Sequence, residues 1–157
     1  MSDDSSDITG RKFNGRAPFV VTAERIADFC AAIGDLNPLY LDANAAASGP
    51  YGGIVAPPAF VAAFRYADDV FDQLPAFQRG GLMGGIDFEL GAPIRPGDSI
   101  RVSSEVKEVY EKTGRTGTMI FAVVQSTLIN QKDEIVARVH HRMMNRPNRE
   151  SDPADNR

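Results

Sequence analysis

The sequence predicts a one-domain α+β fold, and three observations predict it. Helical periodicity dominates the first half of the chain. Strict alternation of apolar and polar residues appears in the second half, and no linker separates the halves. The chain has 157 residues, the size of a single domain, and 43% of them are apolar, enough for a core.

Residues 1–9 are rich in Ser and Asp and read as a polar tail. Residues 19–21 form a short extended stretch leading to Thr22, which is placed to cap a helix over residues 23–33. In that helix Ile26, Phe29, Cys30 and Ile33 recur at the spacing of one buried face, and Gly34 ends it in the left-handed region. A loop over residues 35–41 follows, then a short helix over 43–47 capped by Asp42. Next comes the turn-rich run Ser48-Gly49-Pro50-Tyr51-Gly52-Gly53. Pro57-Pro58 opens a helix expected to reach about Phe71, with Phe60, Ala63, Phe64 and Ala67 on its buried face. The period then changes. Strands are expected over residues 82–90, from Ile100 through Val106 where Ile, Val and Ser alternate with Arg and Glu, over 119–129, and over 135–144. Turns at Arg95-Pro96-Gly97-Asp98 and residues 130–134 join them. Residues 10–146 are therefore one domain, and the polar segment 147–157, containing Pro153, is a second tail.

Composition excludes several classes of function. The formal net charge is −4 and no long basic run occurs, so nucleic acid is not an expected partner. No apolar run is long enough to span a bilayer and the N-terminus lacks a secretory pattern, so a soluble cytoplasmic protein is expected. The single cysteine, Cys30, cannot form an internal disulfide and reads as a small buried hydrophobe. His140 and His141 are the only histidines. Alternation puts His141 with the apolar residues of its strand and His140 with Arg138 and Arg142, so no metal site is expected. Gly52-Gly53 and Gly84-Gly85 lack the spacing of a phosphate loop.

The loop Gly34-Asp35-Leu36-Asn37-Pro38-Leu39-Tyr40 resembles the G-D-x-N-P-x-H signature of MaoC-like dehydratases and (R)-specific enoyl-CoA hydratases. The run from Tyr51 to Phe60 is similar to the family's approach to its central helix. Ile94-Arg95-Pro96-Gly97-Asp98 and the stretch from Val109 to Arg115 also resemble it. The resemblance implies a hot-dog fold, in which an antiparallel sheet wraps a central helix and the active site lies between two such domains. It further implies a homodimer, or a heterodimer with a second hot-dog chain, acting on an acyl thioester of coenzyme A or acyl carrier protein in fatty acid or steroid metabolism. No cofactor is implied.

Hydration of an enoyl thioester requires a base for water, an acid for the α-carbon and donors for the thioester oxygen. In the family the Asp and His of the signature handle water and protons. Carried over by position, Asp35, Asn37 and Tyr40 are the candidate catalytic residues, and Gly53, Ala56, Pro58, Ala59, Phe60 and Phe64 the candidate substrate-binding ones, with Ala59 or its neighbours as oxyanion donors. Two departures stand out. Tyr40 replaces the histidine and is a poor base at neutral pH. Pro57-Pro58 replaces His-Gly and offers no amide hydrogen. Met83 also stands where related sequences carry a histidine. Three readings follow: a hydro-lyase acting on 2-enoyl or 3-hydroxyacyl thioesters, the substrate-binding subunit of a heteromeric hydratase, and a thioester-binding protein or thioesterase. Phe60, Phe64, Phe71 and Phe77 are read as core residues more readily than as an acyl tunnel. Arg11, Lys12 and Arg16 are read as surface charge rather than as a coenzyme A phosphate site.

Overall fold

Thr22 has extended backbone (φ −118°, ψ 156°), and its side chain accepts from the Arg25 amide. The bond satisfies one of the donors that open a helix. The resulting helix α1 (Ala23–Ile33) buries Ile26 and Cys30 and stops at Gly34, whose φ of 73° is the left-handed cap expected of glycine. The computed structural model describes residues 8–15, 17–64, 70, 73–74, 77, 81–115 and 117–146.

The stretch after Gly34 is not all loop. Asn37 accepts from the Leu39 amide, and Pro38 occupies the first turn of a four-residue helix, α2 (Pro38–Leu41). Proline's fixed φ and missing donor suit that position. Asp42 accepts from the amides of Asn44 and Ala45 and caps α3 (Ala43–Ala47), as expected from the sequence.

The helix expected over residues 58–71 is corrected in its first part. Residues Pro58–Ala63 form a 3-10 helix, and Phe64 leaves it with extended backbone (φ −77°, ψ 130°). The Phe60 amide reaches back three residues to the Pro57 carbonyl at 2.8 Å. No side chain caps this start, and the tight turn set at Pro57-Pro58 continues through Ala63. Residues 65–69 and 71, including Ala67 and Phe71, lie outside the described residues.

Among the described residues six strands form the sheet: β1 (Lys12–Asn14), β2 (Phe19–Val20), β3 (Leu82–Leu90), β4 (Ser99–Gly114), β5 (Gly117–Ile129) and β6 (Ile135–Asn145). The order is β1-β4-β5-β6-β3, all antiparallel, with β2 also paired to β4. β1 is too short and too polar to show periodicity, so it has no signal in the sequence. The expected tail also extends too far, because Ile8 is buried against Val106 and Val124 in a secondary core cluster. Residues 1–7 and 147–157 lie outside the described residues.

Alternation sorts the two sheet faces. Ala122, Val124, Ser126 and Leu128 of β5 and Ala137, Val139 and His141 of β6 lie on the buried face. Against it pack Val21, Ile26, Cys30, Phe60, Val61 and Phe64. Phe29, Phe60, Phe64 and Phe19 meet edge to face in series, with centroids 5.3, 5.7 and 4.9 Å apart. The outer face carries ions: Arg142 pairs with Asp87 at 2.8 Å, and Arg138 and His140 flank Glu89.

Edge strand β3 is different. Ile86, Phe88 and Leu90 stand opposite His141, Val139 and Ala137, on the core side of the sheet, yet they are 38%, 40% and 55% exposed. Among the described residues the chain leaves this part of its own inner face uncovered.

Candidate active site

Asp35 follows the αL glycine directly, half-buried, and its carboxylate accepts the Asn37 amide at 3.3 Å. Asn37 is exposed, with its side chain committed to capping α2. Two such turns in succession bring Tyr40 round onto the core, where it packs half-buried against the main apolar cluster.

Tyr40 borders a cavity of about 260 Å³. One wall comes from Leu39, Tyr40, Tyr51, the segment Val55-Ala56-Pro57-Pro58 and Val61; the other from the run Leu90-Gly91-Ala92-Pro93-Ile94 and Val136. The walls are joined where the Ala56 amide donates to the Ile94 carbonyl at 2.8 Å. Gly91 sits where β3 turns into the rim. A Cβ there would collide with the carbonyl oxygen of Ile135, so the backbone approach itself requires glycine.

Burial raises the Tyr40 phenol above its ordinary range, and the negative charge of Asp35 raises it further, followed by smaller contributions from Cys30 and Tyr51. Burial and then Asp35 likewise push the Cys30 thiol up. At neutral pH Tyr40 is therefore a protonated hydrogen-bond donor and Cys30 an inert thiol.

Of the candidate residues, Tyr40, Ala56 and Pro58 line this cavity. Asp35, Asn37, Gly53, Ala59, Phe60 and Phe64 are not among its described lining residues. Phe60 and Phe64 are 1% and 2% exposed and belong to the core, as the packing reading holds. Ala59 is exposed at the start of the 3-10 helix, and Gly53 lies beside the Arg95 guanidinium. Phe77 is buried in the second cluster. Arg11 lies over the Phe13 ring and Lys12 pairs in register with Glu105. Arg16 lies outside the described residues. His141 is buried, and burial followed by the neighbouring charge of His140 lowers its pKa. His140 is half-buried beside Glu89, less open to solvent than alternation alone suggests. Among the described residues no three His, Cys, Asp or Glu side chains cluster as a metal site, and no helix is long and apolar enough to cross a membrane.

Sequence reasoning missed Tyr51 and the rim from Leu90 to Ile94. The available signal was the small-residue run Gly91-Ala92-Pro93 after an apolar strand, which allows two backbones to approach closely.

The sequence profile of the FAS1-like dehydratase domain region matches residues 7–139. The chain belongs to this MaoC-like family. A UPF0336 protein of Streptomyces coelicolor is 33% identical over 68% of this FAS1-like chain and 74% of its own length. A protein of Thermomonospora curvata described as a probable enoyl-CoA hydratase alpha subunit is 28% identical over 86% of this chain, and the match spans about half (47%) of that protein. The MaoC-like dehydratase of Rhodospirillum rubrum superposes with a TM-score of 0.71 at 25% identity, covering 89% of this chain and 93% of its own. The FAS1-like chain therefore has the hot-dog fold that its signature loop implies.

Proposed function

We propose that this chain is the acyl-thioester-binding subunit of a heteromeric hydro-lyase, which adds water to a 2-enoyl thioester or removes it from a 3-hydroxyacyl thioester. The composition of the cavity wall carries the reading. Its walls are apolar apart from the two phenols Tyr40 and Tyr51 and backbone groups, with no Asp, Glu or His among the described lining residues. Such a wall accommodates an acyl chain and offers donors to a carbonyl oxygen. It offers no base to take the proton of water as the oxygen bonds to the β-carbon, and no imidazole to deliver one to the α-carbon. A second hot-dog chain with an intact Asp/His pair would supply both. The uncovered inner face of β3, whose Leu90 also borders the cavity, is a suitable surface for it. A relative described as an alpha subunit supports an assembly of unlike chains.

The test is direct. The purified chain alone should bind a non-hydratable acyl-CoA analogue yet leave enoyl-CoA absorbance unchanged. Addition of a partner hot-dog chain carrying the full signature should start turnover. Full activity of the chain alone would overturn the subunit assignment.

One observation favours a second reading, in which Asp35 is itself the base. Its charge is close enough to Tyr40 to oppose ionisation of the phenol. Under that reading Asp35→Asn abolishes turnover by the isolated chain while the fold persists.

A further inference from the structure

Tyr51 is 46% exposed, and it is carried by a loop containing Gly49, Gly52 and Gly53, of which Gly52 has a φ of 65°. Within the loop the Gly52 amide donates to the Gly49 carbonyl at 3.2 Å. So glycine-rich a segment does not by itself hold a phenol at the edge of a cavity. From just beyond Ile94 of the opposite wall, Arg95 Nη2 donates to the Tyr51 carbonyl oxygen at 2.8 Å, across 44 positions of sequence. Arg95 is itself fixed. Its amide donates to Asp98 Oδ2 at 2.8 Å, and Asp98, only 6% exposed, also accepts from Gln131 Nε2 at 3.0 Å. Gln131 in turn accepts the Ser99 amide at 2.9 Å. The backbone of Arg95 is thus braced by the start of β4 and the β5–β6 turn, and its guanidinium reaches across to the loop that carries Tyr51.

We infer that Tyr51 is a substrate-contacting residue at the cavity mouth and that Arg95 is the residue that positions it. The inference rests on the acyl-thioester reading of the cavity and adds to it the group that meets the polar end of the ligand. A ligand whose acyl chain lies along Val61, Val136 and Ile94 leaves its polar end free to meet Tyr51, which lines the same cavity and is 46% exposed. A planar guanidinium bonding the Tyr51 carbonyl restrains the backbone that carries the phenol. A lysine, with a more flexible stem and a different donor geometry, holds it less well.

The experiment uses the full chain, with its partner subunit where one is needed for solubility. Binding of a non-hydratable acyl-CoA analogue is measured by calorimetry, and amide hydrogen exchange is followed over residues 48–53. Arg95→Ala should weaken binding by about tenfold, the loss of one charge-assisted hydrogen bond, and speed exchange in the loop. Arg95→Lys should recover part of both. Tyr51→Phe should weaken binding to a smaller extent while loop exchange stays slow, which separates contact from positioning and does not risk the fold at this exposed site. Unchanged affinity in Arg95→Ala and Tyr51→Phe would overturn the inference, as would loop exchange unaffected by loss of Arg95. If the wild-type chain binds no acyl-CoA analogue, the acyl-thioester reading fails and the substrate contact of Tyr51 fails with it. The exchange data then still decide whether Arg95 positions the loop.

Discussion

Ser104 and Ser126 face each other directly across β4 and β5 on the core side of the sheet, 1% and 0% exposed, with their hydroxyl oxygens 2.7 Å apart. Ser126→Ala removes one net hydrogen bond and strands the Ser104 hydroxyl in an apolar layer. Together these cost about 1–3 kcal/mol. Ser104→Ala should cost the same by symmetry. The double variant leaves no orphan, so its cost should fall well below the sum of the singles, with a coupling of about 1–2 kcal/mol. In urea, with a slope of about 2 kcal/mol per molar for a chain of this size, each single variant moves the midpoint down by roughly 0.5–1.5 M at constant slope. The assay is equilibrium unfolding of all four proteins under one set of conditions. Strict additivity, with the double variant losing the sum of the singles, would refute the reasoning, because the two hydroxyls would then not be each other's partners.

Phe60→Ala should destabilise the fold by about 3–5 kcal/mol, since the ring is buried and in edge-to-face contact with Phe29 and Phe64; thermal denaturation measures it, and a loss below about 1 kcal/mol would return Phe60 to the ligand site. Asn37→Ala should cost about 1 kcal/mol by uncapping α2, seen as a lowered midpoint in chemical denaturation. Asp35→Asn should lower the pKa of Tyr40 by removing the negative charge that opposes the phenolate, while burial continues to hold it up; ultraviolet titration of the phenols reads the shift, and an upward move contradicts it. His141 is neutral in the fold because its pKa is lowered. The unfolded chain therefore binds more protons, and stability present above about pH 6.5 is lost as pH falls through the folded value. Midpoints measured between neutral and mildly acidic pH should decline, and less so in His141→Gln.

Local chemistry made much of this legible in advance. Thr22, Gly34 and Asp42 fix the ends of helices through their own hydrogen bonds or φ, so α1 and α3 fall where the sequence places them. The long apolar run over residues 119–129 does the same for β5, one phase of which, Ile120, Ala122, Val124, Ser126 and Leu128, is buried. What depends on distant partners was not legible. The expected 58–71 helix becomes a 3-10 segment at its start. β4 runs past its alternating stretch because a bulge at Lys107 shifts the phase between Val106 and Glu108. At the site, the signature loop carries Tyr40, which lines the cavity. It did not deliver Tyr51 or the rim from Leu90 to Ile94, because these join the cavity only once Arg95 and the Ala56–Ile94 contact have brought separate loops together.

Gly91 constrains how this pocket can be varied. It forms part of the wall, but the Ile135 carbonyl occupies the space of any Cβ, so no side chain can be added there to shorten or reshape the chamber. Attempts to retune ligand size, in the laboratory or by drift, are channelled to Leu90, Ala92 and Val136 on either side. Residue 91 itself works as a fixed pivot about which those neighbours are exchanged.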